Sequence, residues 1–339
     1  MKRIERCGEQ YPLRYVALLA ALLIGVAQIA PVQATERTDA KVNSRVRPQE
    51  KAAGSLLRVQ VNFVQLPVTV MDRNGRRVQG LTPDRFTVLE DSVPQVIESF
   101  SSEDVPSSIG LVFETSGSMK AKLSEARLAT RRLLDTMEPD DEVFLLTFAD
   151  RPQLQVDFTD DFNSVQNRLL AARGAGSTSF IDAVYAALTH MRGAHNSRKA
   201  LLVISDGGDN HSRHSSGELL SLARETDVQI YTVSFPDNPI GKVALAQASE
   251  QRAKSLLGSG SLATATGGFH YVLRNANELG PVMSQIGALL RNQYVLGYRS
   301  SQPDSAGKWR SIQVKLDVPK GQRPVHLQTR RGYRASDSE

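Results

Sequence analysis

Five polar residues, in three separate segments of the chain, could together bind a metal ion. Glu114, Ser116 and Ser118 directly follow a short apolar run. Thr178 stands just before a helical pattern, and Asp206 follows a second apolar run. Carboxylates and hydroxyls supply hard oxygen ligands, which suit Mg²⁺, Mn²⁺ or Ca²⁺ and not zinc or copper. Because hydroxyl ligands are neutral, a cation bound here would keep surplus positive charge and could take an acidic group of a partner as its last ligand.

The elements that must position these residues show two alternating hydrophobic patterns. Short apolar runs at 109–113, 143–148 and 200–204 are typical of strands buried on both faces of a sheet. Helical patterns lie at 120–137, 162–172, 180–191, 216–225 and 279–290. This alternation predicts an α/β fold with a doubly wound, mostly parallel sheet. Ligands bind such sheets beyond the carboxyl ends of the strands, where two of the three polar clusters are expected; the third lies on a loop that can reach them.

The chain on either side of this α/β region has the period of antiparallel strands. Short alternating runs separated by Gly, Asn and Pro occupy 55–104, including a run at 78–81, and the alternation returns over 292–335. We expect these two segments to pair into one small β-sandwich. The α/β domain at 105–291 would then be an insertion between the two halves of a β module.

The N-terminus has the pattern of a secretory signal. Basic residues precede an apolar run at 15–29, and small residues follow at 32–34. The apolar run is shorter than the ~20 residues that a membrane-spanning helix needs, so a signal peptide at 1–34 is favoured over an uncleaved anchor. Residues 35–54 are polar and predict a flexible linker. The mature protein is therefore expected to be exported, periplasmic or secreted, with no membrane attachment. Cys7 is the only cysteine, which excludes a disulfide scaffold and a cysteine-based zinc site.

The order and spacing of the polar residues resemble the von Willebrand factor type A domain. The metal-ion-dependent adhesion site of that family reads Asp-x-Ser-x-Ser, followed by a distant Thr and a distant Asp. Ser116 and Ser118 match the serines. Thr178 matches the threonine and Asp206 the last aspartate, whereas Glu114 stands where the family has its first Asp. The resemblance implies that these five residues hold a divalent cation, with Mg²⁺ expected first and Mn²⁺ or Ca²⁺ as alternatives. It also implies a protein partner that offers an acidic side chain.

The flanking segments extend this resemblance, which covers about 107–290 in its central part. The sequence Leu-Thr-Pro-Asp-Arg-Phe at 81–86, the following Glu90 and Asp91, and the ending Arg-Gly-Tyr at 331–333 are similar to exported bacterial "VWFA-related" proteins of acidobacterial type.

The residues favour a non-enzymatic binding module over two alternatives. No nucleophile–base pair accompanies the oxygen donors, and the His-Glu-x-x-His, Gly-x-Ser-x-Gly, P-loop and Gly-x-Gly-x-x-Gly patterns are missing. A metal-dependent hydrolase is therefore the remote alternative. A metal-free structural or scaffold protein is the nearer one, because Glu114 replaces the usual Asp. The net charge of +5 over 339 residues is too diffuse to indicate a nucleic-acid partner.

Overall fold

The computed structural model describes residues 63–73, 75–206, 208–235, 250–302, 307–318 and 325–335, without the side chains of 250–257 and 276. All of them belong to one compact unit, Arg58–Glu339. The predicted signal peptide and linker lie outside the described residues, so export and its cleavage site stay predictions.

The described residues form strands and helices in the predicted order. The strands are β1 (Phe63–Asp72), β2 (Phe86–Glu90), β3 (Val93–Gln95), β4 (Ile97–Ser101), β5 (Ser107–Glu114), β6 (Glu142–Phe148), β7 (Pro152–Thr159), β8 (Arg198–Ser205), β9 (Gln229–Ser234), β10 (His270–Val272), β11 (Tyr294–Arg299), β12 (Trp309–Leu316), β13 (Val325–Gln328) and β14 (Gly332–Arg334). The helices are α1 (Leu123–Leu134), α2 (Phe162–Ala171), α3 (Phe180–His190), α4 (Ser216–Glu225), α5 (Glu250–Thr266) and α6 (Leu279–Arg291).

A six-stranded sheet carries the α/β region, with strand order β10-β9-β8-β5-β6-β7. The first five strands in this order run parallel to one another. β7 is an antiparallel edge strand paired with β6. Every residue of the central strand β5 is buried, because helices cover both faces of the sheet. The predicted mostly parallel sheet is confirmed.

The helices divide between the two faces of this sheet. Buried apolar side chains of α1, α2 and α6 form a core with one face. Those of α3, α4 and α5 form a core with the other face. The sheet is therefore doubly wound, as the sequence predicted. None of the helices in the described part of the chain is both long and apolar enough to cross a membrane.

Two four-stranded antiparallel sheets join the segments on either side of the α/β region. Their strand orders are β13-β1-β11-β4 and β14-β12-β2-β3. Leu66 of β1 lies opposite Leu296 of β11, and Val88 of β2 lies opposite Val314 of β12. Buried side chains from both sheets share one apolar core. The expected pairing of the N-terminal and C-terminal segments into a β-sandwich is therefore present.

A group of buried and half-buried polar side chains, here called the Glu90 cluster, lies inside this sandwich. Glu90 and Arg310 are 0% and 1% exposed. The Oε1 atom of Glu90 accepts hydrogen bonds from Arg310 Nη1 at 2.6 Å and from Ser300 Oγ at 2.5 Å. Its Oε2 atom accepts from the hydroxyls of Tyr298 at 2.8 Å and Tyr333 at 3.0 Å. The carboxylate is thus neutralised by a guanidinium and satisfied by four donors.

The prediction of a strand at 78–81 is wrong. These residues form no strand in the structure. The hydroxyl of Tyr294 donates to the Val78 carbonyl at 3.0 Å and accepts from the Leu81 amide at 3.2 Å. A buried tyrosine hydroxyl therefore satisfies backbone groups that a neighbouring strand would otherwise pair. A short 3₁₀ helix, Pro83–Arg85, then leads into β2.

Candidate functional site

The predicted site lies at the carboxyl edge of the central sheet because three strands end there side by side. β5 is flanked by β8 and β6, with Phe113 opposite Ile204 and Glu114 opposite Phe148. Glu114 therefore closes one strand next to Ser205, the last residue of its neighbour. Parallel pairing alone brings two of the three polar clusters to one edge.

Glu114 is the centre of the site, and its carboxylate is 0% exposed. Its Oε1 atom accepts hydrogen bonds from Ser116 Oγ at 2.5 Å and Thr178 Oγ1 at 3.0 Å. Its Oε2 atom accepts from Ser205 Oγ at 2.6 Å and from the Asp206 backbone amide at 3.0 Å. The longer glutamate side chain thus reaches all three polar segments at once. We give the name Glu114 cluster to the group formed by Glu114, Ser116, Thr178, Ser205 and Asp206.

The two serines of the first segment connect the buried cluster to solvent. Ser116 is buried, whereas Ser118 is exposed. Their Oγ atoms lie 2.9 Å apart, at hydrogen-bonding distance. The cluster is therefore open to solvent on the side of Ser118.

Thr178 is positioned by backbone contacts with both of the other segments. Its amide donates to Asn210 Oδ1 at 2.9 Å, and its carbonyl accepts from the Asn210 amide at 2.9 Å. The Gly117 amide donates to the Gly176 carbonyl at 3.1 Å. Gly176 has a φ of +91°, which favours glycine, and an added Cβ would lie 2.7 Å from the Asp150 carboxylate. The loop before α3 is therefore fixed against the serine loop.

The segment after Asp206 is held on the first turn of α3. Asp209 Oδ1 accepts from the Phe180 amide at 3.1 Å, at the first residue of α3. Asp182 accepts from the Arg213 and His214 amides and contacts His214 Nδ1 at 2.8 Å. These hydrogen bonds lower the pKa of Asp182 below its usual value although burial acts in the opposite direction. Asp182 thus fixes the loop without joining the cluster.

Two carboxylates lie together in this buried cluster. Asp206 is 3% exposed, and its Oδ1 accepts from the Gly208 amide at 3.4 Å. Burial raises the pKa of Glu114, and the negative charge of Asp206 raises it further, against the effect of the serine hydrogen bonds. A bound cation would oppose both effects, since it favours the ionised form of each carboxylate.

The donors of the cluster fit a hard divalent cation in their chemistry. Within the described ranges, no three carboxylate, imidazole or thiol side chains converge as a metal site, so hydroxyls would have to supply much of the ligand shell. Ser116 and Thr178 point their hydroxyl hydrogens at Glu114. Each hydroxyl oxygen keeps lone pairs that could face a cation.

The structure brings all five sequence-predicted residues into one hydrogen-bonded group. Sequence reasoning missed Ser205, whose hydroxyl donates directly to Glu114. Its place at the end of a buried strand, next to Asp206, was the available signal. Sequence reasoning also missed that Glu114 organises the other donors, because that role depends on contacts between distant segments.

Comparisons with known proteins agree with this fold. Residues 109–208 match the family model described as the von Willebrand factor type A domain. Comparison with curated proteins gives no match.

Solved structures similar to this chain include three whose descriptions name this domain or its metal motif. A von Willebrand factor type A protein from Catenulispora acidiphila is 11% identical, with a TM-score of 0.47, and the match covers 81% of this chain and 74% of that one. The vWF domain of the type V pili tip protein Mfa5 from Porphyromonas gingivalis is 14% identical, with a TM-score of 0.43, over 55% of this chain and 95% of that one. Proximal thread matrix protein 1 from the mussel byssus, with a zinc-occupied MIDAS motif, is 17% identical, with a TM-score of 0.45, over 59% and 49% of the two chains.

The family-model match spans strands β5, β6 and β8, which are the strands that end at the Glu114 cluster. The part of the chain that carries this cluster is therefore the part that matches the von Willebrand factor type A domain.

Proposed function

We propose that this protein is an exported, non-enzymatic interaction module that binds a protein partner through a divalent cation at the Glu114 cluster, with Mg²⁺ as the first candidate. Type A domains are generally interaction or adhesion modules, and this supports the proposal. The observation that carries it is the orientation of the Ser116 and Thr178 hydroxyls by Glu114, next to the second buried carboxylate of Asp206.

In this proposal the five predicted residues have different roles. Asp206 would supply the carboxylate ligand, and Ser116, Ser118 and Thr178 would supply neutral hydroxyl ligands. Glu114 would hold the hydroxyls in place through the hydrogen bonds described above. The cation would supply an electrophilic centre that accepts a carboxylate. Ser118 is exposed, so the partner's acidic side chain would approach from that side.

A metal-free scaffold is the second candidate, and one observation favours it. All four hydrogen bonds to Glu114 come from the protein itself. A carboxylate satisfied in this way does not need a cation to remain buried. The two candidates differ in whether a metal changes the stability of the folded protein.

Thermal unfolding of the purified protein in EDTA and in Mg²⁺ distinguishes them. A ligand at 100 times its dissociation constant stabilises a protein by about 2.7 kcal/mol, which is a shift of a few degrees for a domain of this size. We expect this shift in the wild type and its loss in Asp206→Ala, because that variant lacks a carboxylate ligand. Asp140→Ala removes the same charge from an exposed position and should keep the shift. If neither Mg²⁺, Mn²⁺ nor Ca²⁺ stabilises the wild type, the scaffold is the better account.

Export is tested separately, by expressing the full chain in a bacterium and sequencing the N-terminus of the fractionated protein. A periplasmic or secreted product that begins at Thr35 is expected. A product that retains its first residues and sediments with membranes would contradict the predicted cleavage.

A further inference from the structure

Four exposed basic residues stand on the loops that build the Glu114 cluster. They are Lys120, Arg151, Arg173 and Arg213, and we call them the basic rim. None of the hydrogen bonds or ion pairs among the described residues uses their side chains. Arginines in other parts of the chain, such as Arg85 and Arg131, do pair with acidic side chains.

Backbone contacts place these four residues around one face. The Ala175 amide donates to the Thr115 carbonyl at 2.9 Å. A Cβ added to Gly174 would lie 3.3 Å from Lys120 Cα, so the loop carrying Arg173 runs directly beside the serine loop. The Ser177 amide donates to Asp150 Oδ1 at 2.7 Å, so the loop that carries Arg151 lies beside the loop that carries Arg173.

Arg213 reaches the same face through the loop that follows Asp206. Its amide donates to Asp182 in the first turn of α3, just after Thr178. The basic rim is therefore contributed by four loops that lie beside the Glu114 cluster.

The acidic side chains near this face are already used by backbone amides. Asp150 accepts from Ser177, and Asp209 accepts from Phe180. Asp182 accepts from two amides of the loop after Asp206. These carboxylates fix the loops, whereas none of the rim cations forms a hydrogen bond or ion pair within the described ranges. The face thus presents four cations without an ion pair among the described residues, beside carboxylates that keep their charge but have oxygens occupied by backbone amides.

We propose that the basic rim binds a partner segment that carries several carboxylates, one for the cation and others for the rim. The proposal rests on the proposed function, because it adds contacts around the same site. Clustered positive charge accelerates the association of an acidic partner and excludes basic ones. Single-stranded nucleic acid fits less well, since 115–122, 149–152, 172–179 and 208–215 contain no Phe, Tyr or Trp on which bases could stack.

Fluorescence anisotropy with labelled oligoglutamate tests this proposal. The rim variant combines Lys120→Gln, Arg151→Gln, Arg173→Gln and Arg213→Gln. The matched control removes four other exposed basic residues, Arg73, Arg192, Lys308 and Lys315, by the same type of substitution. In Mg²⁺ at low salt we expect the rim variant to bind oligoglutamate about tenfold more weakly than the wild type, and the control variant to bind as the wild type does. Thermal unfolding confirms that both variants are folded.

Three results would overturn the proposal. The first is a wild type that does not bind oligoglutamate, and the second is a control variant that loses as much affinity as the rim variant. The third is tighter binding of oligothymidylate than of oligoglutamate. A separate readout tests the cation site: if Mg²⁺ fails to stabilise the wild type but rim-dependent binding persists in EDTA, the rim proposal stands and the cation proposal fails.

Discussion

The Glu90 cluster and the Glu114 cluster have the same arrangement of hydrogen bonds around a buried glutamate, and they differ in the charged residue beside that glutamate. Each has a fully buried glutamate that accepts four hydrogen bonds, two on each carboxylate oxygen. In the sandwich, the charged neighbour is the guanidinium of Arg310, 2.6 Å from Glu90. In the α/β domain, the charged neighbour is the carboxylate of Asp206. The first arrangement is neutral, and the second concentrates negative charge.

This difference indicates why one cluster is structural and the other is a candidate site. A buried carboxylate paired with a guanidinium has no need of an external ion. Two adjacent buried carboxylates repel each other, and the raised pKa of Glu114 reflects both burial and that repulsion. The Glu90 cluster is enclosed by two sheets, whereas the Glu114 cluster opens to solvent at Ser118. We expect substitutions inside the sandwich to have the largest effect on stability.

Replacing Arg310 with methionine should cause the largest loss of stability. The change leaves Glu90 charged and buried without its counter-ion, which costs about 3–5 kcal/mol. Urea unfolding measures the loss. Adding Glu90→Gln to the same variant should restore part of it, because the uncharged amide no longer needs a cation. Arg85→Met is the control, since Arg85 pairs with exposed acids among the described residues and should change stability by less than about 1 kcal/mol. A loss in Arg310→Met no larger than in this control would show that the buried pair does not stabilise the sandwich.

Shortening each glutamate to aspartate should separate the two clusters by their response to metal. Glu114→Asp and Glu90→Asp each withdraw a carboxylate from four donors, and an unsatisfied buried donor costs about 1–3 kcal/mol. In EDTA both variants should therefore unfold at lower temperature than the wild type. Mg²⁺ should stabilise Glu90→Asp as much as it stabilises the wild type, because the proposed cation site is intact in that variant. It should stabilise Glu114→Asp by more, because the shorter side chain matches the aspartate of the type A metal motif. Equal responses to Mg²⁺ in the two variants would remove the distinction drawn here.

The smallest expected effect is the contribution of Tyr333, in the Glu90 cluster, to the alkaline sensitivity of the protein. Burial and the nearby charge of Glu90 raise the pKa of Tyr333 to about 12, above the value of about 10 for an unfolded tyrosine. The folded state therefore holds this proton more tightly, so the stabilisation is complete below about pH 10 and is lost as the pH rises toward 12. Urea unfolding between these pH values should show a flatter decline for Tyr333→Phe than for the wild type. Equal slopes for Tyr333→Phe and the wild type would contradict this expectation.

The sequence alone predicts the sheet and the position of the site well. Apolar runs such as 109–113 and 200–204 admit few structures other than strands covered on both faces, and the polar residues that follow them must then share an edge. The pairing of 55–104 with 292–335 also follows from the hydrophobic pattern. Apolar and polar residues alternate along both segments, and neither segment forms a sheet with the parallel strands.

The internal organisation of each cluster could not be predicted in this way. Glu90 and Arg310 are far apart in the chain, and neither position carries a local signal of burial. The hydroxyl of Tyr294 replaces a strand partner for 78–81, although the local pattern of that run suits a strand. Such contacts depend on how distant segments of the chain pack together. Hydrophobic period and secondary-structure propensity describe only residues that are close in sequence.

The pairing of β1 with β11 and of β2 with β12 sets an order of events in folding. These partners bracket the whole α/β domain, so closing the sandwich from an unfolded chain would carry the entropy cost of a very long loop. Once the α/β domain has folded, its two ends are close and most of that cost has already been met. The sandwich should therefore form last, after β11 and β12 have been synthesised. A chain truncated before residue 292 would leave β1 and β2 with exposed edges, which are sites of aggregation.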